Sequence, residues 1–126
     1  MTPIRVLLVD DSADFLNSAE SFLSLHPAVE VIGCALSGRD ALEKIPRLAP
    51  DLVLMDWLMP EMNGLEVTRQ IKARPDAPRV VILTMYDAPK YRAAARAVGT
   101  DGFISKADFG TLLLPVIRAL FPSRIA

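Results

Sequence analysis

Five polar residues, each placed at the end of an apolar run, have side chains that could do chemistry together. The run VLLV ends in Asp10 and Asp11, and the run LVLM ends in Asp56. The runs VVIL and GFIS end in Thr84 and Lys106. Two carboxylates about 4 Å apart repel each other by roughly 4 kcal/mol at an effective dielectric constant of 20. Converging carboxylates therefore need a counter-charge, and a divalent cation with oxygen ligands is a natural one.

These residue types favour phosphoryl transfer. Mg²⁺ binds one or two carboxylates together with phosphate oxygens, a lysine adds a second positive centre, and a threonine adds a hydroxyl donor. The chain has no glycine-rich phosphate loop, and a carboxylate can itself accept the group as an aspartyl phosphate. Each residue alone is also explained by a turn, a helix cap, a strand end or a solvated lysine. Their coincidence at four strand ends favours one shared site.

Strand-like and helix-like segments alternate along the chain and would position these side chains. Strands are predicted at residues 4–9, 29–33, 52–55, 80–83 and 102–105. Helices are predicted at residues 12–25, from residue 37 through 45, and at 65–73, 90–98 and 112–121. Three of the strands are apolar throughout, as expected when helices cover both faces of a sheet. The pattern predicts an α/β fold with a doubly wound, five-stranded parallel sheet. Ligands of such sheets bind at the carboxyl ends of the strands.

Two prolines lie within predicted helices. Pro46 is expected to kink or end the second helix, because proline has no N–H for the helical hydrogen bond. Pro115 is expected to be tolerated only if the last helix begins near Thr111, since first-turn N–H groups lack partners anyway.

Composition narrows the class of protein. The chain has 126 residues, 52% of them apolar, which suits one domain spanning residues 1–126. The net charge of −1 gives no basic excess, so direct binding of nucleic acid by this domain is not expected. No apolar run approaches the roughly 18 residues of a membrane span. Cys34 is the single cysteine, so no disulfide forms within the chain, and a cytoplasmic location is expected.

The chain resembles, over essentially its whole length, a response-regulator receiver domain of bacterial two-component signalling. The motifs that carry the resemblance are VLLVDDS, DLVLMDWLMPEMNG, VVILTMYD and GFISKAD. Their order and spacing form a specific set. The resemblance implies a flavodoxin-like (β/α)5 fold with strand order 2-1-3-4-5. The Lys-Ala-Asp sequence is similar to that of receivers attached to LuxR-type DNA-binding domains, the NarL–FixJ class.

The resemblance also implies a role for each residue of the acidic site. Asp56 looks like the phosphoacceptor. Asp11 looks like a direct Mg²⁺ ligand, and Asp10 like one that acts mainly through metal-bound water. The backbone carbonyl of Leu58 would complete the protein's ligands, and Lys106 would pair with the phosphoryl oxygens.

A switch is implied in the same way. Thr84 would hydrogen-bond a phosphoryl oxygen, and Phe103 resembles the aromatic residue that turns inward when the threonine moves. The fourth helix, fifth strand and fifth helix would form the output face. That face would control a partner or a tethered LuxR-type domain, or would form a homodimer, as could the fifth helix alone. The phosphoryl donor would be a sensor histidine kinase or a phosphotransfer protein in a phosphorelay, with the first helix as its docking surface.

Several residues depart from the usual receiver pattern. Ala107 stands where most receivers have proline, so the Lys106–Ala107 peptide is expected to be trans. Met85 stands where a small residue is usual. Leu58, Met85 and Tyr86 are expected to restrict water and to slow dephosphorylation. Trp57 is expected to be a partly exposed neighbour of the site.

Two other functions remain open at this point. A receiver-like interaction module that takes no phosphate would share the fold. An aspartyl-phosphate phosphatase would share the nucleophile but needs a second acid two residues later, where this chain has Leu58. Under the leading hypothesis the domain is not an enzyme on other substrates, because it catalyses only its own phosphorylation and dephosphorylation. It could act alone or be excised from a longer transcription factor.

Overall fold

The computed structural model describes residues 2–86 and 88–124. Five strands alternate with five helices, and a short 3-10 turn, Lys106–Asp108, precedes the last helix. The strands are β1 Ile4–Val9, β2 Val29–Ala35, β3 Leu52–Asp56, β4 Arg79–Thr84 and β5 Gly102–Ser105. The helices are α1 Ala13–Leu23, α2 Gly38–Leu48, α3 Gly64–Lys72, α4 Pro89–Ala97 and α5 Phe109–Leu120.

The sheet is parallel throughout, with strand order β2-β1-β3-β4-β5. This order confirms the predicted doubly wound fold, and β5 has the predicted bounds. The central strand β3 pairs with β1 on one side and with β4 on the other. Its last residue, Asp56, therefore lies at the carboxyl edge of the sheet with β1 and β4 on either side.

Alternate residues of the central strands enter two separate cores, one on each face of the sheet. The core on the α1 and α5 face includes Leu8, Leu54, Leu83, Leu16 and Ile117. The core on the α2, α3 and α4 face includes Val9, Met55, Ile82, Ile45, Ile71 and Ala95. Because both faces are buried, the central strands β1, β3 and β4 each carry a run of buried apolar residues, as predicted for three strands, and Arg5 and Arg79 lie outside those runs.

Three helices begin at side-chain caps directly after the sheet's carboxyl edge. The Ser12 hydroxyl accepts a hydrogen bond from the Phe15 N–H at 3.2 Å. Ser37 caps α2 and Asn63 caps α3 in the same way. Each cap satisfies an N–H that the helix leaves without a partner. The cap at Ser12 fixes the entry into α1 immediately after the two acidic residues of the site.

The structure corrects both expectations about prolines. Helix α2 continues for two residues past Pro46, and the Ala49 N–H still bonds to the Ile45 carbonyl at 2.8 Å. Pro46 lies in the last turn, so it removes one bond near an end that frays in any case. Helix α5 begins at Phe109, not near Thr111, so Pro115 lies in its second turn. Pro115 and Thr111 are both exposed, and water can bond the carbonyl that the proline leaves unpaired.

The longest helix within the described residues, α5, has 12 residues. No helix in this part of the chain is long and apolar enough to cross a membrane.

Among the residues that the structure describes, one buried side-chain oxygen has no hydrogen-bond partner. Thr68 on α3 is fully buried, and its hydroxyl makes no hydrogen bond. We expect Thr68→Val to raise the free energy of unfolding by up to about 1 kcal/mol, because it replaces an unsatisfied hydroxyl with a methyl group of similar shape. Urea denaturation measures the change.

The matched control is Thr100→Val. The Thr100 hydroxyl oxygen lies 2.9 and 2.8 Å from the backbone carbonyl oxygens of Val80 and Gly102, and its single proton is shared between these two acceptors. The same substitution should therefore lower the free energy of unfolding by about 1 kcal/mol. If Thr68→Val lost as much stability as the control, the conclusion that the Thr68 hydroxyl has no hydrogen-bond partner would be wrong.

Candidate functional site

Three carboxylates predicted from separate strand ends meet at one edge of the sheet. Asp10 and Asp11 directly follow β1, and Asp56 is the last residue of β3. The two strands pair up to Val9 and Met55, which brings their ends side by side. One carboxylate oxygen from each of the three residues lies within 4.8 Å of the other two. Asp10 and Asp56 are only 1% and 5% exposed, whereas Asp11 faces solvent.

Lys106 supplies the positive charge opposite these carboxylates. Its ammonium donates to Asp10 Oδ2 at 2.7 Å and forms an ion pair with Asp56 Oδ1 at 3.2 Å. The side chain is largely buried, and its Nζ lies 4.3 Å from the centre of the Phe15 ring. Lys106 begins the 3-10 turn after β5, and its peptide bond to Ala107 is trans, as expected. One ammonium thus bridges two of the three acids.

Burial and neighbouring charges shift the pKa values of Asp56 and Lys106. Burial is the main cause that raises the pKa of Asp56 to about 6. The negative charge of Asp10 raises it further, while Lys106 opposes both effects. Burial works to lower the pKa of Lys106, but its hydrogen bond to Asp10 and the charge of Asp56 outweigh this, so that pKa is raised. The lysine therefore stays charged, but it does not fully compensate the acids.

The donor set fits a hard divalent cation. Carboxylate oxygens are the ligands that Mg²⁺ prefers, and the cluster of three provides more negative charge than Lys106 balances. The two oxygens of Asp10 already have protein partners, since Oδ1 accepts the Ser12 N–H at 2.9 Å and Oδ2 accepts from Lys106. Asp11 is exposed at the open side of the cluster. A cation at this edge would therefore meet Asp11 and Asp56 more readily than Asp10.

The two predicted switch residues lie on the neighbouring strands β4 and β5. Thr84 ends β4, is buried, and its hydroxyl oxygen accepts the Tyr86 N–H at 3.0 Å. Phe103 lies on β5 opposite Ile82 of β4. Its half-buried ring contacts Trp57 and lies beneath the Arg92 guanidinium.

Trp57 is buried, which corrects the expectation that it is partly exposed. It is 8% exposed, and its ring makes edge-to-face contacts with Tyr91 of α4 at 5.3 Å and with Phe103 of β5 at 6.0 Å. Tyr86 also stacks on Tyr91. We call Trp57, Tyr86, Tyr91 and Phe103 the α4-face aromatic cluster. It joins the residue after Asp56 to α4 and β5.

The three residues predicted to control access are exposed around the site. Leu58 lies in the loop after β3, and Met85 and Tyr86 follow β4. More than half of the Leu58 side chain is exposed, and Met85 is 72% exposed. Their effect on access stays a prediction.

Two residues that position the site were missed by the sequence reasoning. The backbone of Gly64 presses against Asp56, because a Cβ at Gly64 would lie 2.2 Å from the Asp56 carbonyl oxygen. Only glycine allows this approach, and the glycine that closes the loop after the strand-end acid Asp56 is the signal that could have found it. Phe15 lies in the predicted first helix and contacts Lys106, and the sequence reasoning did not predict this contact.

The pKa of Asp56 makes the stability of the metal-free protein depend on pH. Its pKa is about 6 in the fold and 3.8 without perturbation, so the folded state holds the proton more tightly. This contribution to stability is complete below about pH 4 and is lost as the pH rises through about 6. We expect Asp56→Asn, measured in chelator by urea denaturation, to equal wild type near pH 4 and to exceed it by about 1 to 3 kcal/mol at pH 7.5.

The control is Asp51→Asn, at the opposite edge of the sheet. Burial acts to raise the pKa of Asp51, but hydrogen bonds from the Arg5 N–H and from Arg124 lower it overall. This variant should therefore be less stable than wild type above about pH 4, and the difference should shrink as the pH falls below that value. An Asp56→Asn variant that behaves like Asp51→Asn would contradict the shift at Asp56.

Comparison with known proteins agrees with this geometry. The family model of the response regulator receiver domain matches residues 6–116. The response regulator protein VraR of Staphylococcus saprophyticus is 40% identical over 121 residues, which cover 94% of this chain and 57% of VraR. A protein-glutamate methylesterase/protein-glutamine glutaminase of Geobacillus kaustophilus is 44% identical over 107 residues, 84% of this chain and 31% of that protein. The chain thus spans about half or less of these relatives.

Solved structures of response regulators are also similar to this chain. The signal receiver domain of the putative response regulator NarL from Mycobacterium tuberculosis superposes with a TM-score of 0.85 at 29% identity and covers 98% of both chains. A LuxR-family two-component response regulator from Aurantimonas superposes with a TM-score of 0.90 at 27% identity, covering 98% of this chain and 88% of that one. The chain therefore belongs to the response regulator receiver domain family of two-component signalling.

Proposed function

We propose that this chain is a phosphoacceptor receiver in which Mg²⁺-dependent phosphoryl transfer to Asp56 switches the surface formed by α4, β5 and α5. The observation that carries the proposal is the placement of one buried carboxylate, Asp56, between two further acids and the ammonium of Lys106. Neither a turn nor a helix cap needs that arrangement. The donor is a phosphohistidine on a sensor histidine kinase or a phosphotransfer protein.

The transfer is a displacement at phosphorus. A carboxylate oxygen of Asp56 attacks the phosphorus, the N–P bond of the donor phosphohistidine breaks, and the released imidazole nitrogen takes up a proton. Lys106 is already 3.2 Å from Asp56 and can pair with the phosphoryl oxygens. The Thr84 hydroxyl can donate to another of them while it still accepts the Tyr86 N–H, because a hydroxyl has one donor and two acceptor positions.

The metal ligands in this proposal are Asp11, Asp56 and the backbone carbonyl of Leu58, with Asp10 acting mainly through metal-bound water. The engagement of both Asp10 oxygens by Ser12 and Lys106, and the exposure of Asp11, support this division. Bound Mg²⁺ would neutralise charge on the acids and on the transferring phosphoryl group.

The output is a change in population between two arrangements. A phosphoryl dianion that binds Thr84 and Lys106 only in one arrangement of the loops favours that arrangement. Thr84 and Phe103 are the switch residues, and the α4-face aromatic cluster connects them to α4. The surface made by α4, β5 and α5 then controls a partner, a tethered LuxR-type DNA-binding domain, or a homodimer. The domain spans residues 1–126, works in the cytoplasm, and catalyses only its own phosphorylation and dephosphorylation.

A small phosphoryl donor tests the chemistry without a kinase. With acetyl phosphate and Mg²⁺, we expect intact-mass spectrometry to show one added phosphoryl group per chain, and none with excess chelator. The Asp56→Asn variant should take none, because it lacks the nucleophile, while the control Asp51→Asn should match wild type. Absence of labelling in wild type would favour an interaction module that takes no phosphate, and equal labelling of Asp56→Asn would place the acceptor elsewhere.

The exposed residues around the site make a separate prediction about the lifetime of the phosphoryl group. In hydrolysis, a water oxygen attacks phosphorus, the P–O bond to Asp56 breaks, and inorganic phosphate leaves. We propose that Leu58, Met85 and Tyr86 hinder that water. Met85→Ala and Tyr86→Ala should then shorten the phosphoryl half-life several-fold, as measured by decay of the phosphorylated mass.

Leu25→Ala is the matched control, because Leu25 is 74% exposed in the turn after α1, at the far end of that helix from the acids. Its half-life should equal that of wild type. Unchanged half-lives in both Met85→Ala and Tyr86→Ala would refute a role in access.

A further inference from the structure

The ammonium of Lys106 has a third contact besides its two carboxylates. The Phe15 ring lies with its centre 4.3 Å from Nζ. Asp10 Oδ2 and Asp56 Oδ1 are the other contacts, at 2.7 and 3.2 Å. The side chain of Lys106 is 14% exposed, so these groups enclose most of it. An aromatic face attracts a cation through its quadrupole, and more strongly where water is excluded.

We propose that Phe15 is a positioning residue for phosphoryl transfer, whose ring holds the Lys106 ammonium at the junction of Asp10 and Asp56. The proposal rests on the proposed function of Asp56. A lysine side chain is long and flexible, with a point charge at its end. Without a third contact, the ammonium could follow either carboxylate away from the reacting oxygen.

The ring is the contact that the reaction leaves unchanged. Asp10 and Asp56 each gain new partners when the metal and the phosphoryl group bind, so their attraction for Lys106 changes during the reaction. The quadrupole of Phe15 does not. The ring can therefore keep the ammonium at the site while the two carboxylates are otherwise engaged.

Neighbouring rings fix the orientation of Phe15. Its ring meets Phe109 edge to face, with centroids 5.5 Å apart and planes at 77°. Phe109 begins α5 directly after the 3-10 turn that carries Lys106. Phe22, also on α1, meets Phe109 at the same centroid distance. We call Phe15, Phe22 and Phe109 the α1-face aromatic cluster. Phe15 and Phe22 thus share their helix, their partner ring and their core, but it is the Phe15 ring that contacts Lys106.

This pair provides a matched comparison. We expect Phe15→Leu to slow phosphorylation by acetyl phosphate at saturating Mg²⁺ by roughly three- to tenfold, the factor expected of one cation–π contact. Phe22→Leu, which removes a comparable ring from the same core, should keep the wild-type rate. Phe15→Tyr keeps the ring face and should also keep the rate. A small-molecule donor is used because α1 is the expected kinase-docking helix, and a kinase would report docking as well as chemistry.

A double-mutant cycle separates positioning from packing. In a Lys106→Met background, Phe15→Leu should change the initial rate by less than twofold, because the cation that the ring holds is gone. A general packing defect would slow both backgrounds by the same factor. If Phe15→Leu does not fold, as judged by circular dichroism, Phe15→Met fills similar volume without a ring face and replaces it in the cycle.

Three results would overturn the inference: equal rates for Phe15→Leu and wild type, equal slowing by Phe15→Leu and Phe22→Leu, or a full effect of Phe15→Leu in the Lys106→Met background. Each leaves phosphorylation of Asp56 intact. Failure of wild type itself to take a phosphoryl group from acetyl phosphate would instead overturn the proposed function.

Discussion

The repulsion among three carboxylates at one edge of a buried sheet is the constraint on which the rest of the molecule depends. Asp10 and Asp56 are almost fully buried, and Asp11 lies beside them. Removing charges from water is costly unless they are paired and hydrogen-bonded. Lys106 pairs with two of the acids, and the Ser12 N–H bonds to one of them. One ammonium cannot balance the charge of three acids, and burial together with the negative charge of Asp10 raises the pKa of Asp56.

The negative charge that Lys106 does not balance must be held in place by the fold around the site. Like charges that are held together in a partly buried site cost stability wherever they are not fully paired. The surrounding structure must therefore be firm enough to hold the acids together. Two packed apolar cores, one on each face of the sheet, make the structure rigid enough for this. The close approach of Gly64 to the Asp56 carbonyl removes space into which the loop could relax.

The sheet could be predicted well from the sequence. The spacing of apolar residues and the polar residues at the strand ends are both local features of the chain, and the observed sheet agrees with them. Runs that are apolar at every position implied burial on both faces, and the strand order followed from the family resemblance. The surroundings of Trp57, Phe15 and Pro115 were harder to predict. The direction of the Trp57 and Phe15 rings depends on which helix packs above them. The position of Pro115 within α5 depends on where that helix starts, and the start depends on Phe109 entering the α1-face aromatic cluster. Such tertiary contacts override local propensity.

The two aromatic clusters show how one edge of the sheet can act on both of its faces. Lys106 contacts the α1-face aromatic cluster through Phe15, and the residue after Asp56, Trp57, lies in the α4-face aromatic cluster. The backbone of Trp57 is also fixed, since its N–H bonds to Leu83 and its carbonyl accepts the Gly64 N–H. The immediate surroundings of Asp56 are therefore rigid. In the proposed function, a new charge on Asp56 would be accommodated by the residues after β4 and by Phe103, which would direct the response toward α4 and β5.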